Sequence, residues 1–160
     1  MSRNPEPVHP GDPQHPEHAA YLCALGAATY EAARLAGIAI DLLRVHYGER
    51  MFDLVDLSLG QLIGRLDAEA KGRRPIPGLA AFVAELAAAR TERNDLMHAL
   101  PVLHGLHRRT KADLERVVNF YSIDDLNRVR RHFYSVAVRG NQLLYFDGGA
   151  AVRAYADTPG

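Results

Sequence analysis

Residues 18–48, HAAYLCALGAATYEAARLAGIAIDLLRVHYG, decide the fold class. Leu22, Leu25, Ala28, Thr29, Ala32, Leu35, Ala36, Ala39, Leu42 and Leu43 recur at three- and four-residue steps, while Glu31, Arg34, Asp41 and Arg44 take the opposite side. This is the periodicity of an amphipathic helix, about eight turns long. Its apolar side is rich in Ala and includes Gly26 and Gly37, which predicts close approach by a partner helix. Cys23 reads as a core residue, and His46 and Tyr47 as capping or packing groups at the helix end.

Upstream, residues 1–17 hold five of the nine prolines and almost nothing apolar, so they read as a disordered Pro/His-rich tail. His9, His15 and His18 are spaced through prolines, which argues against a preformed metal site. Downstream, a second helix is predicted from about Asp53 to Lys71, with Asp53 as N-cap and Val55, Leu59, Leu62, Ile63 and Leu66 on its buried face. Gly72, Pro75 and Pro77 break the chain. A third helix starts near Pro77-Gly78, buries Leu79, Phe82, Val83 and Leu86, and must end before Pro101. Alternating patterns over Val102–Arg108 and Leu114–Tyr121 predict a short β-hairpin. Ser122-Ile123-Asp124-Asp125 then opens a last helix that carries Leu126, Val129, Phe133, Val136, Ala137, Gly140 and Leu144. The expected architecture is mainly α: a four-helix up-down bundle over residues 18–148, with the hairpin inserted before the last helix and a flexible tail at 149–160.

The whole chain has 160 residues, 19 Lys+Arg against 19 Asp+Glu, eight His, one Cys and no Trp. That suits one domain with a real core. Zero net charge argues against gripping nucleic acid by bulk positive charge, but leaves room for a local basic patch. A single Cys excludes an internal disulfide, a Cys-based zinc site and a thiol redox pair. No apolar run is long enough to span a bilayer, and the N-terminus lacks a secretory pattern, so the expectation is a cytoplasmic protein without membrane contact. No Gly-Lys-Ser/Thr phosphate loop is present, and no cofactor is expected.

Chemistry concentrates in Thr91-Glu92-Arg93-Asn94-Asp95-Leu96-Met97-His98-Ala99. Asn94 and His98 share a helix face, with Arg90 on the same stripe one turn earlier. Arg93 and His98 lie about 140° apart around an ideal helix. His98 falls in the last turn, where the helix dipole favours an imidazolium.

This segment resembles the HEPN superfamily, whose hallmark is an Arg followed by a polar residue and, a few residues on, a His. The match is Arg93, Asn94 and His98, on the third of four predicted helices. Ser58-Leu59-Gly60-Gln61-Leu62-Ile63 is similar to a stretch that recurs in the same superfamily. The resemblance implies a metal-independent endoribonuclease whose site forms between two copies of the chain, in a toxin–antitoxin or phage-defence setting. Arg93 would then steady the transition state, His98 act as general base or acid, and Asn94 support it. One His per chain does not easily serve both proton transfers, so a homodimer is expected. The implied partners are RNA and an antitoxin protein. In related toxins a Tyr that is the target of modification follows the His, and here that position is Leu100.

Arg90, His104, His107, Arg108 and Arg109, with Lys111 beside them and Arg128, Arg130, Arg131 and His132 on the last helix, form a candidate RNA-binding surface. The alternative for these residues is a pair of solvated charged faces. For Arg93, Asn94 and His98 the alternative is a buried polar cluster in a non-catalytic helical module that binds a protein or nucleotide. A regulatory RNA-binding protein that relies on the basic hairpin is the third reading.

Overall fold

The computed structural model describes residues 9–102, 105–108 and 120–147. Five α-helices form the framework: α1 His18–Tyr47, α2 Met51–Leu54, α3 Leu59–Ala70, α4 Leu79–Met97 and α5 Ile123–Gln142. A single π-helical turn, Leu143–Asp147, extends α5. The first helix has the extent its periodicity predicts, but its buried face is turned: Leu22 and Thr29, expected on it, are exposed, and Tyr21 and Ile38 are buried instead. It closes at Gly48, whose φ of 69° suits a residue without Cβ. From there the Gly48 and Glu49 amides donate back to the Arg44 and Leu43 carbonyls.

The expected second helix is divided. Asp53 does not cap it, because its carboxylate is held by Arg50 at 2.8 Å. Ser58 caps α3 instead, through a reciprocal box: its hydroxyl accepts from the Gln61 amide and the Gln61 side chain accepts from the Ser58 amide. Four helices thus become five, and Val55, expected on a buried face, is 56% exposed.

The up-down order is also corrected. Arg34 lies over the Tyr134 ring, Ile38 meets Gly140, and His46 lies against the backbone of Leu143 and Leu144, so α1 and α5 run parallel. In an up-down bundle of four, first and last helices would be antiparallel. The segment from Gly48 to Ser58, with α2 inside it, carries the chain back and removes one reversal. Helix α4 runs against α5, pairing Glu92 with Arg128 and His132 at one end and Gly78 with Arg139 and Leu143 at the other.

Among the described residues the expected hairpin of Val102–Arg108 with Leu114–Tyr121 is not formed, and no sheet packs as a layer; residues 114–119 lie outside the described residues. The first predicted strand instead folds on itself: β1 Leu100–Val102 pairs antiparallel with β2 Gly105–His107. Gly105 opens β2, opposite Val102 at the end of β1. Of the second predicted strand, only Phe120 and Tyr121 are described, and Phe120 makes one isolated bridge to His107. Residues 9–17 run as successive turns into α1, and the His9 ring packs edge-on against Tyr21 and tilted against Phe120. The rest of that tail, residues 1–8, lies outside the described residues, as does the tail at 149–160.

The core lies between α1, α3, α4 and α5, where Leu35, Leu42, Leu62, Phe82, Leu126 and Phe133 are essentially sealed from solvent. Burial of such side chains contributes about 1.5–3 kcal/mol each. Gly140 lets α5 pack directly on Ile38 of α1 and Phe82 of α4. Gly26 and Gly37 face open space, and Cys23 is exposed rather than in the core. No helix among the described residues is long and apolar enough to cross a membrane.

Candidate functional site

Helix α4 carries its apolar residues on the side facing α1, α3 and α5 until its last two turns. There Arg93 and Asn94 are half-buried and His98, at the C-cap, is exposed. Arg93 Nη1 donates to Asn94 Oδ1 at 3.3 Å. The His98 amide closes the last turn on the Asn94 carbonyl at 2.9 Å. The His98 ring makes no hydrogen bond with a described residue, and none joins it to Arg93. No polar or charged residue is buried among the described residues, so these three side chains do not form a dry internal cluster.

Arg90, one turn earlier, is exposed but not loose. Its guanidinium lies over Gly60 of α3, where a Cβ would come within 2.9 Å of Arg90 Cζ. His107 is tied into the β pairing and sets its ring edge-on to Phe120, 5.5 Å between centroids. Arg108 lies 4.4 Å above the Tyr121 ring and holds Asp125 at 2.9 Å. A guanidinium so engaged anchors the β pairing to the start of α5, which leaves it little freedom to follow a phosphate backbone. His104, Arg109 and Lys111 lie outside the described residues. Arg90, His107 and Arg108 therefore sit on three different supports: α3, the β pairing and the start of α5.

A second polar cluster joins α4 to α5. Glu92 Oε2 is 2.8 Å from His132 Nδ1, and Glu92 Oε1 accepts from Arg128 Nη1 at 3.1 Å. Partial burial pushes the Glu92 carboxyl up, but the hydrogen bonds and charges of His132 and Arg128 outweigh it and hold its pKa below the ordinary 4.5. Arg128 and His132 are one turn apart on α5, so a single carboxylate reaches both. The sequence marks them only as part of a basic face. The one available signal is their four-residue spacing, and it points to Glu92 only once α4 and α5 are known to run antiparallel in this register.

At the same end of the molecule, Ser122 and Asp125 form the capping box of α5. Burial raises the Asp125 carboxyl, but the Ser122 amide and hydroxyl together with Arg108 pull it below the ordinary 3.8. Tyr21 accepts a hydrogen bond from the Leu106 amide at 3.2 Å, fixing the β pairing against α1.

His9 and His15 accept from the Gly11 and Glu17 amides, and His18 Nδ1 lies 3.3 Å from the Pro10 carbonyl, so each is tied to a local turn. Among the described residues no three His, Cys, Asp or Glu side chains converge as a metal centre requires. Comparison with family models, curated proteins and solved structures returns no match.

Proposed function

We propose that the protein is a metal-independent endoribonuclease of HEPN type that works as a homodimer, with an antitoxin or phage-defence setting as its context. The observation that carries this reading is the position of the Arg93, Asn94 and His98 side chains: at the end of α4, outside the core, with His98 open to solvent. A polar trio with one fixed charge and one imidazole, kept out of the core, is placed to meet a substrate; a purely structural trio would be buried and fully bonded.

The chemistry follows from the residue types. Arg93 stays charged and offers planar donors to phosphate oxygens, with Asn94 steadying its guanidinium. The His98 ring is free to exchange a proton with the ribose 2′-OH or with the leaving 5′-oxygen. The products are a 2′,3′-cyclic phosphate and a 5′-hydroxyl. His98→Ala, purified as a folded dimer, is expected to cleave RNA at least about 100-fold more slowly than wild type in the presence of a chelator. Equal cleavage by the two proteins, or none by wild type, overturns the reading in favour of a non-catalytic helical module.

A further inference from the structure

Cleavage through O2′ needs two proton transfers, and the reading above gives both to copies of one residue, His98. The Glu92–Arg128–His132 cluster supplies a second kind of histidine. An ionised carboxylate only accepts hydrogen bonds, so the proton shared across the 2.8 Å contact belongs to His132 Nδ1. In the neutral ring, the form a general base needs, that fixes the tautomer and leaves Nε2 with a lone pair. The His132 side chain keeps 35% of its surface exposed, enough to meet a hydroxyl. Arg128 holds the other Glu92 oxygen through one nitrogen and has further donors for phosphate oxygens. A carboxylate behind an imidazole also steadies the imidazolium formed when the ring takes up a proton. His98 differs: among the described residues no carboxylate pairs with its exposed ring.

We infer that, in the ribonuclease proposed above and resting on that reading, His132 is the general base, His98 the general acid, and Glu92 the positioning residue for His132. His132 Nε2 takes the proton of the ribose 2′-OH, and O2′ forms its bond to phosphorus as the bond to O5′ breaks. His98 gives its proton to O5′. No co-reactant is consumed, and proton exchange with water restores both rings. Glu92 and His98 are six residues apart, which places them about 120° apart around α4 and about 9 Å apart along it. The base and acid of one chain therefore face different sides of the helix. Each phosphate is held between His132 of one protomer and the partner subunit's His98, as a twofold dimer permits.

The test is complementation. His132→Gln and His98→Ala, each a folded dimer, are expected to be at least about 100-fold slower than wild type. After subunit exchange, a mixed dimer contains one site with both histidines intact, so roughly a quarter of wild-type activity returns at equal mixing. No regain on exchange, or a His132→Gln protein as fast as wild type, overturns the inference and leaves the role of His98 standing. A wild type that cuts no RNA overturns both. For Glu92, the readout is the ¹⁵N spectrum of the His132 ring. Glu92→Gln is expected to give a mixture of tautomers and a matching fall in rate; an unchanged tautomer and rate remove the positioning role.

Discussion

A methyl group added at Gly140 would stand 2.3 Å from Ile38 Cγ2 and 2.9 Å from Phe82 Cζ. Both neighbours are sealed in the core, where neither can move aside, so Gly140→Ala is expected to cost about 3 kcal/mol in urea unfolding. Gly60→Ala meets a comparable 2.9 Å approach, but only from the end of the Arg90 side chain. That side chain swings away, and alanine favours the helix over glycine, so stability should stay within about 0.5 kcal/mol of wild type. Equal losses at the two sites would show that the rigidity of the neighbour is not what decides. Gly140 reads in the sequence as one more core position, while Gly26 and Gly37 look like the close contacts. A glycine needed for close approach is defined by the residue opposite, and Ile38 and Phe82 are remote from Gly140 in the chain.

Helix ends are set by side-chain hydrogen bonds, and α3 shows how these override periodicity. Apolar spacing runs smoothly from Val55 through Leu59 and Leu62, so one helix is the natural expectation. The chain stops at Leu54 and restarts at Leu59 because the Ser58–Gln61 box satisfies two backbone amides at that point. Ser58→Ala should therefore destabilise the protein by about 1 kcal/mol in thermal or chemical unfolding, and Asp53→Ala should leave the melting temperature unchanged. The reverse order of effects would restore Asp53 as the cap. At α5 the cap is legible from the start: Ser122 and Asp125 form the box that their spacing announces. The difference is context. Ser122 follows a clear break in the apolar pattern, whereas Ser58 lies inside an unbroken one.

Across the molecule, three partly buried groups among the described residues, His46, Glu92 and Asp125, pull stability in one direction with pH. Burial lowers the His46 pKa from its ordinary 6.5, with the Leu143 and Leu144 backbone pulling the other way. Both ring nitrogens of His46 are sealed from solvent, and neither meets the nearby Leu143 and Leu144 backbone in good hydrogen-bond geometry. The unfolded chain takes up this proton first, so stability present above about 6.5 is lost as the pH falls through the folded value. Glu92 and Asp125 also have folded values below their ordinary 4.5 and 3.8, so their contributions hold above those values and disappear on further acidification. Unfolding midpoints followed across the acid range should fall in two stages. His46→Leu should remove the upper stage and Glu92→Gln should shrink the lower one. A midpoint that rises on acidification would contradict all three assignments.

The sequence by itself determines the helical class, the full extent of α1, the start and end of α4, the cap of α5 and the gathering of Arg93, Asn94 and His98 at one helix end. These depend on spacing, on capping residues and on Pro101, all of which act within a few residues along the chain. Only the tertiary structure decides that α1 and α5 run parallel, that Gly140 leaves no room for a Cβ against Ile38 and Phe82, that Arg108 is committed to Tyr121 and Asp125, and that Glu92 stands behind His132. Each of these joins residues from separate elements. Their pairing follows from the return path of the chain after Gly48 and from the register of α4 against α5, which no local pattern encodes.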